Sequence, residues 1–411
     1  MRIQKGMTLV EMLLGQLLGV LIIGGLLSLV PPAIALLNSN NAVSLLQENA
    51  RLGVDSLDRL IQQAGYGGCH TGKNHAAVIR QDAPGVSQRL ANWAFHRFMI
   101  RGLDAAEVSE ATALFGRDWI NSRYQFADQP VGDLLLVQSS AEEEWELSVH
   151  RPELQTLVLD TATSYIAPGT VLRIADCQHS ATFQVAGSSV ETVGGYSGNI
   201  RISYGAEDSA NCTSTLPHPW DGAGSELVLL GAGAATHCGE ENPGSGFLPY
   251  QFPAGSQVMP LASTLLYIGR HRDTGEPGLY RMDIARSSAR PYTEAIVEGV
   301  ENMRFLYGID DDADGSPNRW LVASGVNQYP DQWDHVVAVQ TWLLLRTPIG
   351  RGRAKHTHSL HFPDNRGDLV DCRTPNADPG ACPFDTEASA EAAYFRRVIE
   401  RTFYLRNRGT S

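Results

Sequence analysis

The sequence predicts an α+β protein: a long N-terminal membrane-spanning helix packed on a mostly antiparallel β-sheet head. Three observations predict it. No residue from Met12 to Gln47 is charged. From Leu46 to Ala64 apolar residues recur at helical spacing. The remainder reads as short apolar or alternating runs broken by turn residues. Forty glycines and 21 prolines among 411 residues also favour a loop-rich β body over a helical bundle. The formal net charge of −13 makes electrostatic binding of nucleic acid by the whole chain a poor expectation. Six cysteines without CxxC spacing argue against a zinc finger or a thioredoxin-type site. They suit a disulfide-permissive compartment outside the cytoplasm.

The N-terminus carries the strongest signal. Arg2 and Lys5 lie in a short polar leader ending at Gly6. From Met12 to Val30 only Gln16, Ser28 and the glycines interrupt an apolar run, and about 20 such residues span a bilayer's hydrocarbon core. The two leading cations place the N-terminal side in the cytoplasm, so the body lies beyond the inner membrane of a bacterial host. Three readings compete. A secretory signal peptide has a small-x-small site at Ala33-Ile34-Ala35, but this apolar run exceeds the roughly 7–15 residues usual for such a peptide. A plain anchor would stay uncut. A third kind of leader is cut between Gly6 and Met7, before the apolar run. Glu11 decides among them. A carboxylate inside a membrane helix costs roughly 2.5–3.5 kcal/mol at mid-helix and less near the interface. Neither a signal peptide nor a passive anchor uses it, whereas an opposite charge from a neighbour relieves it.

Beyond Pro31-Pro32 the run turns amphipathic. Leu46, Ala50, Val54, Leu57, Ile61 and Ala64 form one face, with Arg51, Asp55, Asp58, Arg59 and Gln62 elsewhere. Gly65, Gly67 and Gly68 end the helix. One helix over residues 7–64 is expected, kinked or opened at the two prolines, with about 9–37 embedded in the membrane. Residues 1–6 are the leader and 65–411 the head. Strands are expected over Leu134–Gln138, Trp145–His150, Leu154–Leu159, Val171–Ala175, Ile200–Tyr204, Leu227–Leu230, Leu265–Ile268, Gly278–Asp283, Met303–Tyr307, Val336–Leu345 and Phe395–Leu405. Short helices are expected over Asp104–Phe115 and Glu294–Asn302.

The segment Lys5-Gly6-Met7-Thr8-Leu9-Val10-Glu11 resembles the processing site of type IV pilins and pseudopilins, with Met7 where phenylalanine is commoner. Five further blocks resemble PilW-type minor pilins. They are Ala64-Gly65-Tyr66-Gly67-Gly68-Cys69; Ala175-Asp176-Cys177 with Ala181 and Phe183; Leu266-Tyr267-Ile268-Gly269 with Gly275-Glu276-Pro277 and Leu279-Tyr280-Arg281; Glu298-Gly299-Val300-Glu301-Asn302-Met303 with Tyr307-Gly308-Ile309-Asp310; and Arg396-Arg397-Val398 with Leu405-Arg406-Asn407. The resemblance implies a pilin-like fold, cleavage after Gly6 and N-methylation of Met7. It implies that Glu11 pairs with a neighbouring subunit's amine during assembly. It further implies a minor pilin that helps initiate type IV pilus assembly and sits at or near the fibre tip. The partners implied are other minor and major pilins, the prepilin peptidase, the assembly platform, a tip adhesin and inner-membrane lipid. The head is periplasmic before assembly and on the cell-surface fibre afterwards. The alternative is a pseudopilin of a type II secretion system. Two other classes stay in play: an anchored exported enzyme, and a sugar or DNA receptor on the fibre.

Outside the helix, Asp310-Asp311-Asp312-Ala313-Asp314-Gly315 offers alternate carboxylates around a glycine-permitted turn. Asp310, Asp312 and Asp314 suit calcium or a similar hard cation, with Asn318 or the Ser316 carbonyl as additions. Leu321 stands where an EF-hand requires glutamate, and the alternative is a solvated acidic turn. His356, His358 and His361 read as strand histidines rather than a zinc site, because no carboxylate or cysteine supports them. Gly231 to Ala235 lacks the lysine of a phosphate loop. No Gly-x-Ser-x-Gly elbow or ordered triad appears, so no enzymatic activity and no catalytic cofactor are expected. The seven tryptophans are expected in cores. Of the fifteen pairings six cysteines permit, the preferred set is Cys372–Cys382 around a small surface loop, Cys212–Cys238 and Cys69–Cys177. The arginines of 396–408 read as the charged face of an edge strand.

Overall fold

The computed structural model describes residues 9–68, 75–77, 99–104, 124–126, 132–140, 143–161, 165–193, 196–207, 209, 211, 214, 216, 250–271, 273–283, 292–347, 360–372, 382 and 394–407. Helix α1 (Leu9–Gln63) is one element of 55 residues. It continues through Pro31 and Pro32, where a kink or local opening was expected. Each proline removes one N–H from the ladder, and the flanking turns keep the chain helical. Gly65 and Gly68 close the helix as the sequence indicated, at φ of 76° and 75°, a region that favours glycine.

The head follows as β1 (His75–Ala77), β2 (Ile100–Leu103), β3 (Tyr124–Phe126), β4 (Leu134–Ser140), β5 (Trp145–Arg151), β6 (Thr156–Asp160), β7 (Val171–Ala175), β8 (Ser180–Gln184), β9 (Gly187–Val193) and β10 (Tyr196–Ser203). Then come β11 (Gln257–His271), β12 (Pro277–Asp283), β13 (Tyr292–Glu298), β14 (Val300–Ile309), β15 (Arg319–Leu321), the short helix α2 (Ala323–Asn327), β16 (Val336–Arg346), β17 (His361–Pro363), β18 (Leu369–Asp371) and β19 (Arg396–Tyr404). Pairing is antiparallel throughout the described strands except between β1 and β8. A four-stranded sheet runs β15-β14-β16-β19, and a larger sheet is organised around β11.

The expected helix over Glu294–Asn302 is absent. β13 and β14 occupy that stretch, and Gly299 between them turns at φ of 83°. A Cβ at Gly299 would lie 2.5 Å from the Arg346 carbonyl oxygen. Tertiary pairing of this stretch on two different sheets overrides local propensity. The expected strand at Leu227–Leu230 and most of the expected helix at Asp104–Phe115 lie outside the described residues, as do His356 and His358. His361 is exposed at the start of β17.

Two large cores share β11. The first unites Leu46, Ala50, Leu57, Ile61 and Ala64 of α1 with Val137, Leu266, Leu279, Val297, Phe305, Tyr307, Val339, Leu343 and Phe403. The second contains Trp145, Leu147, Leu157, Leu159, Leu172, Ile174, Phe183, Ile200, Ile202, Tyr204, Phe252 and Val258. Residues 257–260 of β11 pair with β5 and β7 beside the second core, and residues 261–271 pair with β3, β4 and β12 beside the first. Ser140 and Leu261 are register partners, so residues 141–260 leave and rejoin the sheet at adjacent positions. A small third core holds Trp342, Leu344, Leu360, Phe362 and the disulfide-bonded Cys372 and Cys382. Of the described tryptophans, Trp145, Trp333 and Trp342 are buried as expected, whereas Trp320 on β15 is half-buried.

His150, 3% exposed in the second lobe, accepts the Phe252 N–H at Nδ1 (3.0 Å) and meets the Tyr204 hydroxyl at Nε2 (2.8 Å). Burial lowers its pKa from 6.5 to about 4. Protonation at Nδ1 would forfeit the Phe252 bond. The contribution of neutral His150 is therefore complete above pH 6.5 and is lost as pH falls towards 4. Allowing for solvent screening, the loss is on the order of 2 kcal/mol. Urea unfolding of the full chain in detergent at pH 7 and pH 4.5 should give a larger drop in wild type than in His150→Gln.

Candidate assembly site: the long helix and its joint with the head

Glu11 lies in the first turn of α1, and Gly6 and Met7 lie outside the described residues. Leu9–Pro31 is long and apolar enough to cross a bilayer. Its large side chains are exposed, from Leu9 at 75% to Val30 at 48%. A Cβ added at Gly15, Gly19, Gly24 or Gly25 would meet nothing within 4 Å beyond the helix's own backbone, so at these glycines the helix is clear of the described residues of the head.

The other half is embedded. At Gly53 a Cβ would sit 3.3 Å from Leu343 and 3.8 Å from Val297, so glycine lets the helix lie close on β16 and β13. Asn49 donates its side-chain N–H to the Glu298 carbonyl at 3.1 Å. A helix leaves its last four carbonyls without intrahelical partners, and here those from Ile61 to Ala64 are satisfied. Ala64 N–H donates to Ile61 O (3.1 Å) and Tyr66 N–H to Gln63 O (2.9 Å). Asn407 Nδ2 donates to both Gln62 O (3.0 Å) and Ala64 O (3.2 Å). Gly65 N–H then donates to Gln138 O, and Ser140 N–H to Tyr66 O, which splices the helix end onto β4.

Near the Asn49 end sits a buried charge cluster. Glu301, 7% exposed, accepts from Arg396 Nε (2.7 Å), Arg396 Nη2 (3.0 Å) and Arg346 Nη1 (3.3 Å). Arg346 Nη2 donates to Glu276 at 2.9 Å. The Tyr394 ring lies 4.3 Å from the Arg346 guanidinium and 5.6 Å from that of Arg396. Burial works against the charge on Arg346, but Glu301 and Glu276 outweigh it and raise its pKa. Arg396 is thus an internal ion-pair partner. Arg397 and Arg401 are the exposed cations of β19, matching the edge-strand expectation.

The acidic loop is a separate feature. Asp310 is buried, and Asp312 and Asp314 are exposed; carboxylate oxygens of the three lie within 4.8 Å of one another. Asp310 Oδ2 accepts the Gly315 N–H (2.9 Å) and Asp314 Oδ1 the Ser316 N–H (2.7 Å). Gly315 turns at φ of 86°. Asn318 does not join the cluster through its oxygen, which accepts the Asp311 N–H at 2.6 Å. Asp311 pairs instead with Arg319, which holds its carboxyl below the usual range. Three hard oxygen donors on one loop fit a hard cation.

Cys372 and Cys382 are bonded, with Cα atoms 5.4 Å apart. They are buried in the third core, and the loop they close, 373–381, lies outside the described residues. Cys177 is also disulfide-bonded. Cys69, Cys212 and Cys238 lie outside the described residues.

Residues 266–407 match the family model described as Type IV Pilus-assembly protein W. The match covers about a third of the chain. The match supports a type IV pilus-assembly protein, and it begins at Leu266 in β11 and ends at Asn407, the helix-capping residue. Comparison with curated proteins and with solved structures finds no match. The PilW match covers the Glu276, Glu301 and Arg396 blocks. The inserted residues 141–260 lie before it.

The sequence assigns no role to Glu276, Glu301 and Asn407 within the resemblance blocks, and its reading of Arg396 as part of a charged strand edge is corrected: Arg396 is buried against Glu301. A usable signal existed: Glu301 follows Val300, and Arg346 follows Leu343-Leu344-Leu345, so both interrupt apolar strands. A charge in such a place needs a buried partner. Glu301→Gln should take the carboxylate from Arg396 and leave Arg346 with Glu276 alone, destabilising the head by about 3–5 kcal/mol. Chemical denaturation measures this, and Arg396→Met added to Glu301→Gln should recover part of the loss.

Proposed function

We propose that this chain is a minor pilin that helps initiate type IV pilus assembly and is incorporated at or near the fibre tip. The observation that carries the reading is the PilW match on the same head from which one exposed, apolar, membrane-length helix projects. In this reading the leader is removed after Gly6 and Met7 is N-methylated. The helix leaves inner-membrane lipid for contacts with other pilin helices, driven by close packing rather than by a hydrophobic gain. Glu11 offers its carboxylate to the amine of an adjoining subunit, which relieves the cost of a charge in an apolar setting. The head stands in the periplasm before assembly and on the surface fibre afterwards. Its partners are other minor and major pilins, the peptidase, the assembly platform and a tip adhesin. It has no catalytic role.

Glu11→Ala should leave the protein processed and membrane-bound while surface fibres become scarce by electron microscopy. Normal piliation would remove Glu11 from this role. Mass spectrometry of the native N-terminus should find methylated Met7. In the same digest, without reductant, we expect Cys69–Cys177 and Cys212–Cys238 peptides. The first pair is supported by β1, which starts six residues after Cys69 and pairs with Ser180, three residues after Cys177.

Calcium at Asp310, Asp312 and Asp314 is a further part of the proposal, supported by the convergence of the three carboxylates. A bound ion stabilises in proportion to its saturation. Melting of the full chain in detergent should rise by several degrees in millimolar calcium over chelator, and Asp312→Asn with Asp314→Asn should abolish the rise. An unchanged melting temperature in the wild type would dispose of the site.

A further inference from the structure

We propose that Asn407, with Asn49 at the opposite end, sets the axial register of the long helix in the head. The inference deepens the assembly reading and rests on it only for why register matters. The helix face that enters the first core consists of Leu46, Ala50, Leu57, Ile61 and Ala64. Such a stripe is non-directional. Sliding it by one turn, about 5.4 Å, would exchange Leu46 with Ala50 and carry Leu57 or Asn49 into the close contact that Gly53 makes with Leu343. Side-chain size therefore contributes to the register, but it fixes no hydrogen-bond partner.

Directional bonds do discriminate. Asn407 Nδ2 meets two carbonyls of the final turn, Gln62 O and Ala64 O, at 3.0 and 3.2 Å. Gly65 packs against the same residue: a Cβ there would lie 3.0 Å from the Asn407 carbonyl oxygen and 3.1 Å from the Met99 Cβ. A helix shifted along its axis would leave these carbonyls bare in a half-buried setting and press the Gly65 turn into the chain end. At the other end, Asn49 bonds the Glu298 carbonyl. The two asparagines bracket the docked segment, about 20 Å apart at 1.5 Å per residue. Glu11 lies roughly 77 Å down the same rod from Gln62. Its height relative to the head is thereby tied to the last strand, whose end supplies Asn407.

The test uses the full chain in detergent micelles, spin-labelled at Arg51→Cys on the exposed helix face and Tyr329→Cys on the head. Double electron–electron resonance should show one narrow distance. Asn407→Asp keeps the shape but turns the donor into an anion facing two carbonyls. It should broaden or shift the distance by several ångströms while near-ultraviolet circular dichroism keeps the native head signal. An unchanged distance overturns the proposal. Should Asn407→Asp unfold the head, Asn407→Ala removes the donor without adding charge. If that variant also unfolds, Asn407 is a general stabiliser and the proposal fails. Piliation lost at native distances would count against the assembly reading and leave the register intact.

Discussion

A single helix must satisfy two different surroundings, and the rest of the structure follows from that constraint. Its first half exposes a continuous apolar surface that water cannot accommodate. Its second half gives one face to the head's main core and leaves charged residues such as Arg51 and Asp55 outward. The head cannot treat the helix as an ordinary core element, because one end belongs elsewhere. Among the described residues it holds the helix over residues 46–65, by a close approach at Gly53 and by hydrogen bonds towards both ends of that stretch.

The charge cluster follows from the same demand. β14, β16 and β19 form the sheet that supports the helix, and the turn at Gly299 brings the chain onto it from β13. Arg346 N–H donates to Gly299 O, and Gly299 N–H to Pro277 O, at the place where Glu301, Glu276, Arg346 and Arg396 converge. A buried group of two carboxylates and two guanidinium ions adds little net stability over an apolar replacement. What it does fix is relative placement, since each ion accepts few alternative positions. It ties β19, which carries Asn407 just beyond its end, to β14 and to the β11–β12 hairpin. Helix cap and charge cluster are thus two ends of one strand.

Legibility in the sequence tracked how local each cause was. The long helix was readable because hydropathy and spacing act along the chain: Met12–Val30 announces the span, and Leu46–Ala64 the docked face. Strands such as β4, β7 and β16 were readable for the same reason. Glu294–Asn302 was not, because its apolar spacing serves two sheets joined at one glycine, and only the partners' positions reveal that. The Cys372–Cys382 pair was readable from a ten-residue separation, while its burial depended on Trp342 and Phe362, remote in sequence. Asn407 was invisible as a cap, since its carbonyl partners lie more than three hundred residues away.

The placement of the second lobe follows the same logic. Residues 141–260 depart at Ser140 and return at its register partner Leu261, so they add a core without lengthening the path between β4 and β11. The Ser140 N–H donates to the Tyr66 carbonyl at the helix end. The joint is therefore built from β4, the helix terminus and the chain's last strand. No described residue of 141–260 belongs to the core that holds the helix, so the described part of the lobe enlarges the head without entering that core.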